Sequence, residues 1–223
     1  MLKDKRMAAL CEAVRAGVTV CDVGTDHAYV PVELILSGKA PRCVITDISA
    51  PSLEKGVKNA KMARCGDKIS AYCTSGTLGV PLESDTDIVI AGMGGELIAE
   101  IIAQDERLKR EDLRFVLQPM SKAEALRAYL AENGFLITDE VRVDVSGRIY
   151  TVILCQYIGK PYVLTDKELW LGVYDRTDEP FDLFYKEKVL KSLEVKLSGL
   201  KSAENQSKDE IQRIKDIIRS ITE

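Results

Sequence analysis

Over the first 160 residues, short β-branched apolar runs alternate with stretches whose apolar residues recur every three or four positions. Residues 18–21 read as a buried strand, and 43–46, 69–74, 87–91 and 114–117 as further short strands. Met7, Leu10, Cys11 and Val14 predict a helix over 4–16. A second helix is predicted over 30–37, with Pro31 tolerated in its first turn and Gly38 stopping it. A third spans 51–65, started by Ser49 or Ala50 and closed by Gly66. A fourth follows Gly95 to about Gln104. Ser121 with Glu124 reads as a capping box opening a fifth, which runs to Glu132 and ends at Asn133-Gly134. Residues 135–145 and 149–157 predict a hairpin across Ser146-Gly147.

Strands alternating with helices imply right-handed crossovers and a doubly wound parallel sheet, here with antiparallel character at one edge. The fold class is therefore α/β, with a Rossmann-like sheet. The pattern changes after Gly159-Lys160-Pro161, which sets domains of 1–160 and 161–223. Thr165 and Glu168 make a capping box. From residue 190 the apolar period is seven: Leu190, Leu197, Ile211 and Ile218 hold one position, and Leu193, Leu200, Ile214 and Ile221 the other. Glu204 and Ser207 break the middle heptad, and Asn205-Gln206-Ser207 suits a turn. This predicts an α-helical coiled-coil hairpin of two arms folded on each other; one continuous dimerising helix is the alternative.

Composition adds limits. The 223 residues, 46% hydrophobic and 30% charged, fit an ordinary globular protein. No apolar run nears the ~20 residues of a membrane span, and Met1 to Arg6 lead into no signal-peptide core. Six dispersed cysteines without a C-x-x-C pair read as reduced, buried thiols of a cytoplasmic protein. One histidine and no ligand cluster predict no metal site. The net charge of −4 argues against wholesale nucleic-acid coating. Locally, however, residues 51–68 carry five cations against two anions, a balance of +3, and Lys3, Lys5 and Arg6 form a second basic group. Either is a solvated face or an RNA contact.

The chemistry concentrates at predicted strand ends: Asp22, Asp47, Gly92 and Gln118. Open α/β sheets bind ligands there. Asp22-Val23-Gly24-Thr25-Asp26-His27-Ala28-Tyr29 occupies the first strand–turn–helix, the place of a G-x-G-x-x-G fingerprint. Only Gly24 is present; Asp26 and Tyr29 replace the other glycines. A dinucleotide pyrophosphate therefore fits poorly. A cationic nucleoside ligand among acidic groups fits better, and S-adenosyl-L-methionine (SAM) has that chemistry.

Three segments carry a resemblance to a known family: Asp22 to Pro31, Asp87-Ile-Val-Ile-Ala-Gly-Met-Gly-Gly95, and Leu117-Gln-Pro119. With them the chain resembles the bacterial tRNA (adenine-N1)-methyltransferases that modify adenine 22 in the D-arm of tRNA. The likeness covers nearly the whole chain. It implies a SAM-binding Rossmann-like domain, a C-terminal coiled-coil domain, tRNA as the partner and a monomer, with a coiled-coil dimer as the alternative. The chain departs from the family at Ser75-Gly76-Thr77-Leu78, where members commonly carry an acid that can hold the SAM adenine. It also has Met120 after Gln-Pro, and it lacks the usual acidic pair before Gly147.

Read with that resemblance, Asp22, Gly24, Asp47, Ile48, Ser75, Gly76, Gly92 and Met93 are candidate cofactor-binding residues. Asp22 would attract a cation, or instead bond its own turn. Asp47, 25 residues on, would hold ribose hydroxyls, or instead cap a helix. Asp26 and Tyr29 are the candidate catalytic residues. Adenine N1 already has a lone pair, so Asp26 would stabilise the cationic product ring and orient the base; the plainer reading is a helix cap. Tyr29 would stack on a base, or pack in the core. His27, Gly94, Gly95, Gln118 and Pro119 are candidate substrate contacts. His27 can equally be packed or solvated, Gly92 to Gly95 a glycine-rich turn, and Gln118 a polar cap. The absence of (Asp/Asn)-Pro-Pro-Tyr at Gly92 argues against methylation of an exocyclic amine. Lys186, Lys188, Lys191 and Lys196 would grip an RNA backbone. A SAM enzyme acting on a small molecule, and a non-catalytic RNA-binding relative, are the alternatives.

Overall fold

The structure, a computed structural model, describes residues 4–173, 180–202 and 207–223. The chain divides into two compact units, Met1–Tyr162 and Val163–Glu223.

The first unit is a seven-stranded sheet in the order β3-β2-β1-β4-β5-β7-β6. Its strands are β1 (Val20–Val23), β2 (Cys43–Asp47), β3 (Ile69–Cys73), β4 (Asp87–Gly94), β5 (Arg114–Ser121), β6 (Phe135–Val145) and β7 (Arg148–Tyr157). The first five pair in parallel, and β7 runs antiparallel between β5 and β6. Ser146 and Gly147 both have positive φ, the requirement of a tight hairpin turn that matches strand twist.

Around the sheet lie α1 (Lys5–Ala13), α2 (Tyr29–Leu36), α3 (Ala50–Met62), α4 (Gly95–Ala103) and α5 (Ala123–Glu132). Leu10 and Val14 meet Val30, Leu34 and Ile35 over Val20, Val89 and Val116 of the sheet. The alternate residues Ile88, Ile90, Phe115 and Leu117 are fully buried and point to the opposite face, where α4 and α5 pack on β5. Arg127 of α5 and Glu140 of β6 form a buried ion pair at 2.7 Å.

Two strands run past their expected ends. β4 continues through its glycines and β5 through Gln118-Pro119, because they go on pairing with each other: Met93 with Pro119 and Gly94 with Ser121. A bulge at Gly92, with φ +78°, absorbs the shift in register. Ser121 is consequently a strand residue, and the expected Ser121–Glu124 capping box does not form. Lys122, in the left-handed region at φ 54°, precedes α5 with no side-chain cap.

The second unit contains α6 (Asp166–Leu171), α7 (Pro180–Ser202) and α8 (Lys208–Thr222). The Thr165–Glu168 capping box is present. Leu193, Ile214 and Ile221 are buried, as the heptads require, but Leu171 of α6, Val189 and Ile217 share that core. The unit is thus a three-helix cluster, with α6 closing a seam that the heptads assigned to two arms. Ser207, in extended conformation, caps α8 and begins a separate helix, which overturns the continuous-helix alternative. Asn205 and Gln206 of the predicted turn, with Glu204 before them, lie outside the described residues.

Among the described residues no helix is long and apolar enough to cross a membrane, and no group of His, Cys, Asp and Glu is placed to hold a metal ion. Cys21, Cys43, Cys65 and Cys155 are buried free thiols; Cys73, contrary to expectation, is exposed.

Candidate active site

The site begins where β1 gives way to α2. Gly24 has φ +76°, and a Cβ there would stand 1.9 Å from the Met93 Cε. Glycine is required on both counts. The N–H groups of Gly24 and Thr25 both donate to the Thr46 carbonyl, at 2.8 and 3.0 Å. The turn therefore spends on β2 the donors that a dinucleotide fold would aim at a diphosphate.

Asp22 is 8% exposed and accepts the Thr25 hydroxyl. Both readings of this residue thus start from one geometry: it bonds its own turn, and it borders a cavity. Burial pushes its carboxyl up to about 6, against the lowering effect of the Thr25 hydroxyl. It pairs with no cation among the described residues. A buried carboxylate in that position fits a cationic ligand.

Asp26 projects outward. Its carboxylate lies 3.1 Å from both Lys55 Nζ and His27 Nε2. The Lys55 hydrogen bond, helped by the charge of His27, holds the carboxyl below its ordinary value. It caps nothing: Ala28 precedes α2 without a side-chain cap. Tyr29 is 46% exposed, which overturns core packing, and its ring stacks on His27 at 5.1 Å and 18°. Asn59 of α3 donates to the His27 carbonyl at 3.0 Å and steadies the pair.

On the far side, Gln118 is 1% exposed and accepts from the Gly92 N–H at 3.2 Å. Its own amide donates to the Pro119 carbonyl at 3.0 Å. These groups border one cavity of about 250 Å³, lined by Asp22, Gly24, Asp26, His27, Tyr29, Gly92 and Gln118. Arg6, Met7 and Leu10 of α1 also line it. Sequence reading missed α1 as a wall, since its contact with the strand ends exists only in three dimensions.

Other expected residues lie apart from this cavity. Asp47 ends β2 and accepts from the Ser49 N–H at 2.7 Å, while Ser49, not Asp47, caps α3. Ile48 beside it is 77% exposed. Ser75 and Gly76 follow β3, with Gly76 held through its carbonyl by the Thr46 hydroxyl at 2.8 Å. Gly95 lies outside the cavity's lining. It is buried, and a Cβ there would lie 2.2 Å from the Lys122 carbonyl oxygen, so glycine lets the start of α4 pack against the junction of β5 and α5. Gly94 precedes α4 with a Cβ position 3.5 Å from Ser121 Oγ, and Pro119 pairs with Met93; neither lines the cavity.

Sheet order, the acid–glycine turn and the ligand-facing strand ends together define a methyltransferase-type α/β domain. Residues 3–153 match the methyltransferase domain family. The chain is 30% identical over 154 residues to the tRNA (adenine(22)-N(1))-methyltransferase of Bacillus subtilis, covering 68% of this chain and 64% of that enzyme, just under two thirds of its length. It is 31% identical over 172 residues to a Mycoplasma genitalium protein provisionally assigned as a tRNA methyltransferase, covering 75% and 76% of the two chains. A Streptococcus pneumoniae structure, provisionally assigned as a tRNA (m1A22) methyltransferase and in complex with S-adenosyl-L-methionine, matches with a TM-score of 0.82 and 26% identity over 99% of this chain and 98% of that one. This chain belongs to the methyltransferase domain family and, within it, to the tRNA methyltransferases.

Proposed function

We propose that this chain transfers a methyl group from SAM to N1 of adenine 22 in tRNA, in the cytoplasm. The observation that carries the reading is the buried Asp22 beside Gly24, in a cavity that also holds the exposed Asp26 and Tyr29. Bound SAM supplies an electrophilic methyl group on a positively charged sulfonium.

The residues divide the work. Asp22 would attract the positive charge of the cofactor, and Gly24 would let it approach the bare backbone of the turn. Asp47 and Ile48, at the end of β2 near the loop of Ser75 and Gly76, would hold the ribose and adenine of the cofactor. Gly92 leaves room for a flat base, which Gln118 helps to fix. Adenine N1 would attack the methyl carbon through its own lone pair while the methyl–sulfur bond breaks and the sulfur leaves as a neutral thioether, so no general base is required. The ring becomes cationic, and the Asp26 carboxylate, ionised through its contact with Lys55, offsets that charge. Tyr29, already stacked on His27, offers a face to the base. Holding two reactants in line can supply up to ~7–11 kcal/mol of barrier reduction. The target base must leave its stack, at a cost of a few kcal/mol.

The test is incubation with radiolabelled SAM and unmodified bulk tRNA, followed by nucleoside analysis and mapping. N1-methyladenosine at position 22 is expected. Folded protein that transfers no methyl group, or that yields a different nucleoside, overturns the reading.

A further inference from the structure

Arg6 is the only lysine or arginine lining the cavity among the described residues. It is held there from several sides. Asp4, the N-cap of α1, accepts from Arg6 Nη2 at 2.8 Å and from Nε at 3.3 Å. The guanidinium carbon lies 4.9 Å from the centroid of the Tyr150 ring on β7. Nη1 reaches Met120 Sδ at 3.5 Å, just beyond Gln118 on β5. A guanidinium has five N–H donors; three are engaged by Asp4 and Met120, and the remaining two have no acceptor among the described residues.

A fixed cation here is at odds with the chemistry proposed for the cavity. The methyl donor is a cation and the methylated base is another, and like charges in one cavity repel. Asp4 offsets part of that charge from behind. The open side of the planar fork calls for an anion, and its geometry suits the paired oxygens of a phosphate. The proposed substrate brings one on either side of the target nucleoside. Packing on Tyr150 and pairing with Asp4 remove rotamer freedom in advance, so little is lost when the phosphate arrives.

We infer that Arg6 binds the phosphodiester beside the target adenosine and restricts the reaction to polynucleotide over free adenosine. The inference rests on the tRNA reading above. Arg6 is then a substrate-binding residue supplied by α1, and the hairpin residue Tyr150 is its platform.

The experiment compares wild type, Arg6→Gln and Arg6→Lys. Measured are equilibrium tRNA binding across a salt series, kcat and KM for tRNA, and calorimetric binding of S-adenosylhomocysteine. Arg6→Gln should raise KM for tRNA 10- to 100-fold and reduce the slope of log K against log salt by about 0.7–0.9, one phosphate contact. S-adenosylhomocysteine binding should stay unchanged, because Asp4 still caps α1 through the residue 6 N–H. Arg6→Lys should keep the salt slope. A tRNA carrying a neutral methylphosphonate beside adenine 22 tests the same contact in wild-type protein, which should fall to the Arg6→Gln level, while Arg6→Gln should not distinguish the two substrates. An unchanged salt slope, or equal losses for wild type and variant on the neutral linkage, overturns the inference and leaves the tRNA reading standing. Wild type that neither binds nor methylates tRNA overturns both.

Discussion

The terminal methyl of Met93 stands 1.9 Å from where a Cβ on Gly24 would lie, so the first strand end and the glycine-rich bulge of β4 close on each other over a bare backbone. A side chain at Gly24 meets two separate penalties. One is steric and falls on the flexible end of Met93, which can swing away. The other is φ +76°, which costs an L-residue ~1–2 kcal/mol whatever its neighbours do. Gly24→Ala should therefore weaken SAM binding at least tenfold and lower the melting temperature by a few degrees. Adding Met93→Ala should recover only part of the stability. Full recovery in thermal denaturation would show that the backbone relaxes and the steric term was the whole effect.

Asp22 trades stability for its position. Its carboxyl is raised to about 6 by burial. A group raised in the folded state contributes fully below its unfolded pKa of ~3.9, and that contribution is lost as pH rises towards 6. At neutral pH the ionised acid then costs up to about 3 kcal/mol, taking ~1.4 kcal/mol for each pH unit of displacement. Asp22→Asn keeps an acceptor for the Thr25 hydroxyl. It should be more stable than wild type in urea at pH 7.5, with the advantage vanishing near pH 4, and it should bind SAM more weakly. Equal stability at both pH values would mean that water in the cavity solvates the acid.

How much of this was legible depended on how local each feature is. Asp22, Gly24, Gly92 and Gln118 could be placed because apolar runs mark where strands end, and in a parallel sheet those ends share an edge. The hairpin turn at Ser146-Gly147 and the Thr165 cap are equally local. Arg6 could not be placed: its contact with Met120 spans 114 positions and carries no periodic signal. The capping box at Ser121 failed for the same reason, since pairing with Gly94 holds Ser121 in β5 and overrides a local preference. Leu171 joins the second unit's core through α6, which the heptads alone do not mark.

Asp26, exposed, and Asp47, half-buried, are both acids near strand ends, and they should separate in kinetics. Asp26 faces Lys55, His27 and the cavity, so Asp26→Asn should leave the SAM dissociation constant unchanged and lower kcat about 100-fold, in the range of lost electrostatic stabilisation. Asp47 lies outside the cavity and bonds the Ser49 N–H. Asp47→Ala should raise the SAM dissociation constant about tenfold with little change in kcat, because Ser49 still caps α3. If Asp26→Asn turns over at the wild-type rate, the carboxylate has no part in stabilising the product. If Asp47→Ala binds SAM normally, its role ends at the turn.

Gly76 is where the family pattern places an acid, and restoring Asp there is the obvious repair. The structure argues against it. Gly76 has φ +58°, which aspartate tolerates better than most residues, but its Cβ would lie 3.0 Å from Ile101 Cγ2 and point at that side chain. The Thr46 hydroxyl, fully buried, pins the Gly76 carbonyl from the other side and prevents the loop from turning over. A carboxylate would be driven against Ile101, where burial disfavours its charge. Gly76→Asp should consequently lower the melting temperature by several degrees and leave SAM binding no tighter than wild type, by calorimetry. Tighter binding would mean that the loop re-forms with its acid outward, and that the glycine, rather than the packing beneath it, limits affinity for the cofactor.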